Sequence, residues 1–177
     1  VTEVVSDCLI GCDGIRSAVR RLTVPGDSPI IDGGRRLIRS IVPRTALGDL
    51  ADCSPRNSTA LYAGQQNTTF AFMDVGGEEV YWAVGVLDSP ETLGAEAKDV
   101  CRAACAAEQA GGSFGATFCR AISRAVDASE RVYDGRSLSH KPQFDAPWAD
   151  VGPVTLAGDA MHAVVPSFGQ GVCLALE

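Results

Sequence analysis

The chain lacks an excess of positive charge and lacks any long apolar run. Its 177 residues carry 15 Lys and Arg against 22 Asp and Glu, a net charge of −7, so it has no positive field to hold a nucleic-acid backbone. The longest nearly uninterrupted apolar stretch covers about Tyr81 to Leu87, which is far too short to cross a bilayer. The sequence therefore predicts neither a nucleic-acid partner nor a membrane segment.

The seven cysteines lack the pattern of a disulfide scaffold or of a metal site. Their number is odd, no C-x-x-C pair occurs, and neither of the two histidines lies near a cysteine pair at metal spacing. Cys101 and Cys105 lie one helical turn apart, and without further ligands they are expected to be small apolar helix residues. We expect reduced, mostly buried thiols, a reducing intracellular compartment and no bound metal.

The composition is that of an ordinary globular protein. With 46% hydrophobic and 21% charged residues, the chain is neither disordered nor fibrous, and its length corresponds to about one domain. Residues 1–12 already belong to a predicted element, and residues 172–177 form a helix without a stop signal. We therefore expect both ends to lie inside a longer protein.

The first and last parts of the chain each predict a buried strand that runs into a turn and a helix. Cys8–Cys12 is a short apolar run followed by helical spacing from Ile15 to Leu22. Pro153–Ala157 is the second strand candidate, and a last helix is expected to begin near Ser167.

The middle of the chain predicts a β-rich region and two helices. Aromatic and β-branched residues favour strands within Thr59–Met73 and Val80–Leu87, with a turn at residues 74–79. An N-cap and first-turn proline at Ser89 and Pro90 predict a helix that runs to Gly111. A second helix is predicted around residues 118–126 and an extended segment over 132–144.

The first strand-to-turn junction places Asp13 and Gly14 at the end of a strand. Glycine there allows a close approach to the backbone, which favours a binding role. Aspartate is also a favoured N-cap, worth about 1 kcal/mol. Both interpretations, ligand binding and helix capping, stay open at this junction.

The second junction places Gly158 and Asp159 after a strand, and then Ser167 and Gln170 at the spacing of a capping box. Glycine in a helix costs up to about 1 kcal/mol relative to alanine, yet Gly169 and Gly171 lie at this helix start. Free N–H groups at such a start favour an anion or a polarised carbonyl. Tight packing of the helix on a strand is the alternative reason for the glycines.

Together the two junctions resemble the DG and GD motifs of the single-component FAD-dependent aromatic monooxygenases. This is the family of p-hydroxybenzoate, salicylate and kynurenine hydroxylases and of the related zeaxanthin epoxidases. Residues 7–20, DCLIGCDGIRSAVR, match the first motif and residues 158–171, GDAMHAVVPSFGQG, the second. The motifs occur in the family's order on either side of a β-rich segment, and Trp148 precedes the final strand as in many members.

The resemblance implies an α/β fold that combines part of a Rossmann-like FAD-binding domain with an antiparallel β-sheet substrate domain of the p-hydroxybenzoate hydroxylase type. Residues 1–35 would carry the DG part of the FAD domain. Residues 36–145 would form the substrate-binding sheet with its helices, and residues 146–177 would return to the FAD domain with the GD motif.

The resemblance also implies roles for individual residues. Asp159 would accept hydrogen bonds from the ribityl hydroxyls of FAD, Pro166 would lie beside the isoalloxazine ring, and the helix start Gly169–Val172 would direct N–H groups at the flavin N1–C2=O edge. Arg16 and Arg20 would touch the path of NAD(P)H. The implied cofactor-binding residues are Asp13, Gly14, Arg20, Gly158, Asp159, Ala160, Pro166, Gly169, Gln170, Gly171 and Val172.

The implied reaction is a flavin monooxygenation with no catalytic side chain and no metal. NAD(P)H would reduce FAD, O₂ would add at flavin C4a, and the hydroperoxide would transfer one oxygen atom to a small aromatic or alkene substrate, while the protein positions the reactants and excludes water. The family's G-x-G-x-x-G unit for the FAD pyrophosphate does not occur in these residues. A non-catalytic partial gene product and an FAD-dependent reductase or dehydrogenase on the same fold are the alternatives.

The remaining candidates carry weaker signals. His162 is expected to pack and hydrogen-bond locally, and His140 is expected at the surface, because no motif surrounds it. Five aromatic residues of the β-rich segment line a substrate pocket or fill the core: Tyr62, Phe70, Phe72, Tyr81 and Trp82.

Overall fold

The computed structural model describes residues 3–24, 26, 29–110, 114–141, 152–166 and 171–176. Within these ranges no helix has both the length and the apolar character that a membrane span requires. The chain divides into two compact units. The first comprises Val1–Gly33 and Ser137–Glu177, and the second comprises Gly34–Arg136.

The described elements follow one another as strands and helices in mixed order. They are β1 (Leu9–Gly11), α1 (Ala18–Thr23), β2 (Ile30–Pro43), β3 (Thr59–Ala63), β4 (Thr69–Gly76), β5 (Glu79–Leu87), α2 (Ala97–Gln109), α3 (Phe114–Ala128), β6 (Tyr133–His140), β7 (Val154–Leu156), α4 (Asp159–His162) and α5 (Gly171–Leu176). A 3-10 stretch covers Arg44–Cys53, and a 3-10 turn covers Gln65–Asn67.

Two sheets organise these elements. β1 and β7 pair in parallel as a two-stranded sheet in the first unit. The other five strands form one sheet in the order β3-β4-β5-β2-β6, in which the pairs β3–β4, β4–β5 and β5–β2 are antiparallel. The predicted α/β fold with an antiparallel sheet is confirmed.

Cross-strand register gives the five-stranded sheet two distinct faces, because directly opposed residues share a face. One face is buried, with Phe72 and Trp82 opposite each other and both fully inaccessible. The indole N–H of Trp82 donates to Ser129 Oγ at 2.9 Å. The second face, which we call the open face, contains the row Thr59, Met73, Tyr81 and Ile41 and the row Leu61, Ala71, Ala83 and Arg39.

The core of the second unit lies between the buried sheet face and the helices α2 and α3. Cys101 and Cys105 on α2 and Cys119 on α3 are fully buried there, so the prediction for the first two as apolar helix residues is confirmed. The pKa of the Cys101 thiol is raised to about 12 by burial. Cys8, Cys12 and Cys173 are exposed, so the prediction that the thiols are mostly buried is wrong.

The predicted helix after Ser89 begins later than expected, at Ala97. Ser89 and Thr92 instead form a closed turn, in which Ser89 Oγ accepts from Thr92 N at 3.2 Å and Thr92 Oγ1 accepts from Ser89 N at 2.8 Å. Gly94 then adopts a φ of +78°, which a helix cannot contain. Ser89 therefore caps a short turn and not the helix α2.

The other sequence predictions hold with shifted boundaries. The first helix begins at Ala18, because Ser17 is its N-cap. The predicted strand region 59–73 is interrupted by the 3-10 turn at Gln65–Asn67, and β4 extends to Gly76, so the predicted turn shrinks to two residues. The strand β2, with 14 residues, was not predicted. The predicted extended segment over 132–144 contains β6 (Tyr133–His140), and residues 142–144 lie outside the described part.

Candidate functional site

The two motif turns follow neighbouring parallel strands in the first unit. β1 and β7 pair with Gly11 opposite Leu156 as their last registered residues, and Ala157 N donates to Gly11 O at 3.0 Å. Because parallel strands present their carboxyl ends at the same edge, the turns at Asp13 and Asp159 leave the sheet on one side. Ligands of open α/β sheets bind at this edge.

Gly11 allows three elements to meet at the end of β1. A Cβ built at this glycine would lie 2.8 Å from Leu156 Cδ2 and 2.8 Å from Val19 Cβ, distances that no packed core tolerates. The residue therefore brings α1 and β7 into direct contact. Sequence reasoning did not single it out, although it lies within the quoted DG segment.

Asp13 caps the helix α1. Its Oδ2 accepts from Ala18 N at 2.6 Å and from Val19 N at 3.3 Å. A hydrogen bond from the Ser17 hydroxyl, followed by these two N–H groups, lowers the pKa of the Asp13 carboxyl below its ordinary value. The capping interpretation of Asp13 is thus confirmed, whereas its predicted contact with FAD stays a prediction.

Gly14 is required for its backbone conformation. Its φ is +77°, and no described atom lies within 4 Å of a Cβ built there, so packing inside the described chain does not select glycine, and the close approach of a ligand stays a prediction. A positive φ lets the chain turn from β1 towards the Ser17 cap. Ser17 Oγ accepts from Arg20 N at 2.8 Å and fixes the first turn of α1.

Arg20 is buried, with 1% of its surface exposed, and its implied role on the NAD(P)H path stays a prediction. Its Nη1 donates to Ala160 O at 3.1 Å and to Met161 O at 2.6 Å. Both acceptors lie in α4, so the guanidinium of Arg20 connects the helix of the DG motif to the GD turn by hydrogen bonds. These hydrogen bonds explain why a cation is tolerated in this interior position.

Asp159 lies in the first turn of α4, directly after the N-cap Gly158, whose φ is +58°. Gly158 O accepts from Met161 N at 2.9 Å and from His162 N at 3.0 Å, which closes the short helix. The Asp159 side chain is exposed, and within the described residues no donor bonds to its carboxylate. Its acceptor capacity is available to a ligand, in contrast to that of Asp13.

His140 is buried rather than at the surface, with 7% of its surface exposed. Its Nε2 lies 2.9 Å from Ile15 O, and its backbone N donates to Ala163 O at 2.9 Å. The carbonyl partner requires a proton on Nε2. His140 therefore connects the DG turn to the segment after α4, and the distance of 125 residues along the chain explains why no local motif revealed it.

The last part of the predicted site is only partly described. Pro166 is exposed, and Gly169 and Gln170 lie outside the described residues. Gly171 is the first residue of α5, and no described atom lies within 4 Å of a Cβ built there. Packing inside the described chain therefore does not explain this glycine. Val172 follows it in α5.

The aromatic residues of the β-rich segment separate into core and surface. Phe70, Phe72 and Trp82 are fully buried, so a pocket-lining role for them is excluded. Tyr62 packs 6.0 Å from the ring of Phe70, and its hydroxyl donates to the buried Glu108 at 2.9 Å. Tyr81 lies on the open face of the sheet.

The chain was compared with known protein families and with individual proteins. No sequence profile of a known protein family matches the chain. Zeaxanthin epoxidase of Capsicum annuum is 29% identical over 185 residues, which cover 99% of this chain and 24% of the relative. The 2-heptyl-3-hydroxy-4(1H)-quinolone synthase of Pseudomonas aeruginosa is 30% identical over 183 residues, which cover 98% of this chain and 42% of that protein.

A solved structure shares the fold. HpxO of Klebsiella pneumoniae, in complex with FAD and uric acid, matches with a TM-score of 0.74 and 22% identity over 99% of this chain and 41% of its own. The chain is similar in sequence and fold to FAD-dependent monooxygenases. The resemblance found in the two motifs is therefore confirmed, and the strand ends that carry Asp13 and Asp159 lie within the matched region. The chain spans less than half the length of these relatives.

Proposed function

We propose that the chain is the part of an NAD(P)H-dependent FAD monooxygenase that binds the ribityl and ring side of FAD and contributes the substrate-binding sheet. The observation that carries the proposal is the exposed Asp159 carboxylate without a donor in the described chain, at the carboxyl edge of β7. A carboxylate with free acceptor capacity suits a polyol such as the ribityl chain.

Two further observations support a flavin at this edge. Gly171 opens α5 where packing does not require glycine, which suits a ligand that approaches the first N–H groups of the helix. Arg20 and His140 hold the two motif turns together, so that Asp159 is presented by a rigid support. The G-x-G-x-x-G unit that would bind the pyrophosphate is absent from these residues, so they account for one side of the cofactor.

The sheet of the second unit supports the proposed substrate class. Its open face leaves Leu61, Met73 and Ile41 substantially exposed, and such apolar side chains suit contact with an aromatic or conjugated ligand. FAD, when bound, supplies the activation of O₂ with electrons from NAD(P)H. The residues of the chain orient the cofactor and exclude water from a small aromatic or conjugated substrate.

The test is to express and purify the protein encoded by the longest reading frame that contains this chain. We expect a yellow protein that retains FAD and whose NAD(P)H oxidation and O₂ consumption rise when an aromatic substrate is added. A colourless protein that takes up no FAD contradicts the flavin assignment. A flavin-loaded protein that reduces its substrate without consuming O₂ contradicts the monooxygenase and favours the reductase.

A further inference from the structure

The strand β3 forms one edge of the five-stranded sheet in the second unit. Within the described residues, β4 is its only strand neighbour. The two strands pair in an uninterrupted register, from Thr59 opposite Met73 to Ala63 opposite Thr69. The irregularity of β4 lies elsewhere, in its pairing with β5. β3 is therefore a regular edge strand, and no described strand pairs with its outer side.

Hydrogen bonds at the two ends of β3 show which residues of the strand bond to β4. At one end Asp74 N donates to Ser58 O at 3.1 Å, and at the other end Gly64 N donates to Thr68 O at 2.9 Å. Both bonds join residues that lie opposite each other when the register of β3 and β4 is extended. Since hydrogen-bonded and non-hydrogen-bonded pairs alternate along an antiparallel ladder, the even-numbered residues of β3 bond to β4.

The odd-numbered residues of β3 direct their backbone groups outward. Ala60 and Tyr62 bond to β4, so the N–H and C=O groups of Thr59, Leu61 and Ala63 point away from it. These three residues are exposed, and no described residue bonds to their outward backbone groups. A row of such groups is a template for pairing with another strand.

The β3 strand lacks the features that usually prevent edge strands from pairing. Charged residues, proline and bulges are the common protection, and the sequence of β3, TALYA, contains no charged residue and no proline. The edge strand at the other side of the sheet, β6, carries Asp134 and Arg136. Because the chain has a net charge of −7, an uncharged edge is a place where two copies approach with little repulsion.

The helix α2 holds β3 in a fixed position. The Tyr62 hydroxyl donates to Glu108 Oε2 at 2.9 Å, and Gln65 N, directly after the strand, donates to Glu108 Oε1 at 2.5 Å. Glu108 is itself buried, so it anchors the strand to the core of the second unit. An edge that is already ordered loses little conformational entropy when a second strand pairs with it.

We propose that two copies of this chain associate by antiparallel pairing of their β3 strands about a twofold axis at Leu61. In that register the two Leu61 residues lie opposite each other, and Thr59 of each copy lies opposite Ala63 of the other. Every outward residue then meets an outward residue, and each opposed pair exchanges two N–H···O bonds. The contact is self-complementary and closed, and it joins the two five-stranded sheets into one. The proposal goes beyond the proposed function and requires no bound flavin.

The first test is sedimentation equilibrium of the protein encoded by the longest reading frame that contains this chain. We expect a reversible equilibrium between monomer and dimer. Leu61→Lys places like charges at the twofold axis and is expected to raise the dissociation constant at least roughly tenfold, and so is Leu61→Glu. Because the Leu61 side chain is 77% exposed, neither substitution disturbs the core. A wild type that stays monomeric overturns the proposal.

Mixing the two variants tests the twofold axis itself. Leu61→Lys and Leu61→Glu bring opposite charges together in a mixed dimer, which is expected to form more tightly than either variant alone. A mixture that dimerises no better than the separate variants overturns the placement of the axis at Leu61.

Ile41→Lys is the matched control. Ile41 lies on the open face like Leu61 and is 51% exposed, but its strand β2 is inside the sheet. We expect this variant to dimerise as the wild type does. If it weakens the dimer as much as Leu61→Lys, the copies stack through their open faces, and pairing of the edges is overturned.

Hydrogen exchange resolved to single residues distinguishes a second copy from a further segment of the same chain. The amides of Thr59, Leu61 and Ala63 are expected to exchange more slowly as the protein concentration rises, whereas those of Ala60 and Tyr62 are slow at every concentration. Slow exchange of the three outward amides at all concentrations shows that the chain covers its own edge, and overturns the proposal. Fast exchange of these amides in the dimer overturns it as well.

The two proposals fail separately, since neither sedimentation nor hydrogen exchange detects flavin. A colourless protein that dimerises through β3 supports this inference while contradicting the proposed function. A flavin-loaded protein that stays monomeric does the reverse.

Discussion

Nη1 of Arg20 lies 2.6 Å from the carbonyl oxygen of Met161, a residue 141 positions further along the chain. The bond joins the helix after the first motif to the short helix of the second. The two motifs are therefore one structural unit, and this relationship places Asp159 on a fixed support.

Replacing Arg20 tests this connection. Arg20→Met removes the donor to Ala160 and Met161 and leaves buried carbonyls unpaired, which is expected to lower the free energy of unfolding by about 2–3 kcal/mol. Urea denaturation measures the change. Arg21→Met is the matched control, because the Arg21 side chain is exposed and, within the described residues, bonds only to the nearby Arg16 carbonyl. Equal losses of stability in the two variants contradict a stabilising role for the Arg20 hydrogen bonds.

The close packing at Gly11 gives a second prediction. Gly11→Ala places a methyl group 2.8 Å from both Leu156 and Val19, and overpacking of this kind costs about 1–3 kcal/mol. A lowered midpoint of urea denaturation is the expected result. An unchanged midpoint shows that α1 and β7 do not meet at this glycine.

The capping carboxylate of Asp13 makes stability depend on pH. Its pKa is lowered in the folded chain from the ordinary value of 3.8, so its stabilisation is complete above that value and is lost as the pH falls through the lower, folded value. Asp13→Asn keeps the shape and removes the charge. We expect the denaturation midpoints of wild type and variant to differ near neutral pH and to converge in strong acid; a difference independent of pH contradicts the account.

The local sequence predicted elements whose signals are themselves local. Apolar spacing predicted the strand before Asp13, the helix α3 and the strand before Gly158. The motif residues were also predicted to follow these two strands, as they do. His140 was misplaced because its partner Ile15 is distant in sequence. The burial of Arg20 likewise depends on carbonyls that no helical pattern reveals.

The strand β2 escaped prediction for a different reason. Its sequence contains Gly33 and Gly34 and four charged residues, features that ordinarily weaken a strand. Arg36 nevertheless lies inside, because Asp134 pairs with it and the carbonyl of Ala95 accepts from it at 3.1 Å. Tertiary pairing overrides propensity here.

A substitution at Gly171 distinguishes a packing role of this glycine from a role in ligand binding. Gly171→Ala has no described atom within 4 Å of its methyl group, and alanine favours a helix by up to about 1 kcal/mol. In the protein encoded by the longest reading frame, we expect this variant to have unchanged or higher stability and to retain FAD more weakly than the wild type. Retention equal to that of the wild type contradicts a close approach of the flavin at the start of α5.

The affinity for FAD of Asp159→Ala, compared with that of Asp7→Ala, tests the central claim most directly. Both aspartates are exposed in the first unit, but only Asp159 lies at the carboxyl edge of the paired strands. Loss of charged hydrogen bonds worth about 1.5–3 kcal/mol is expected to raise the Kd of Asp159→Ala by roughly ten- to a hundredfold, with Asp7→Ala unchanged. Equal affinities in both variants would contradict the assignment of this strand edge to the flavin.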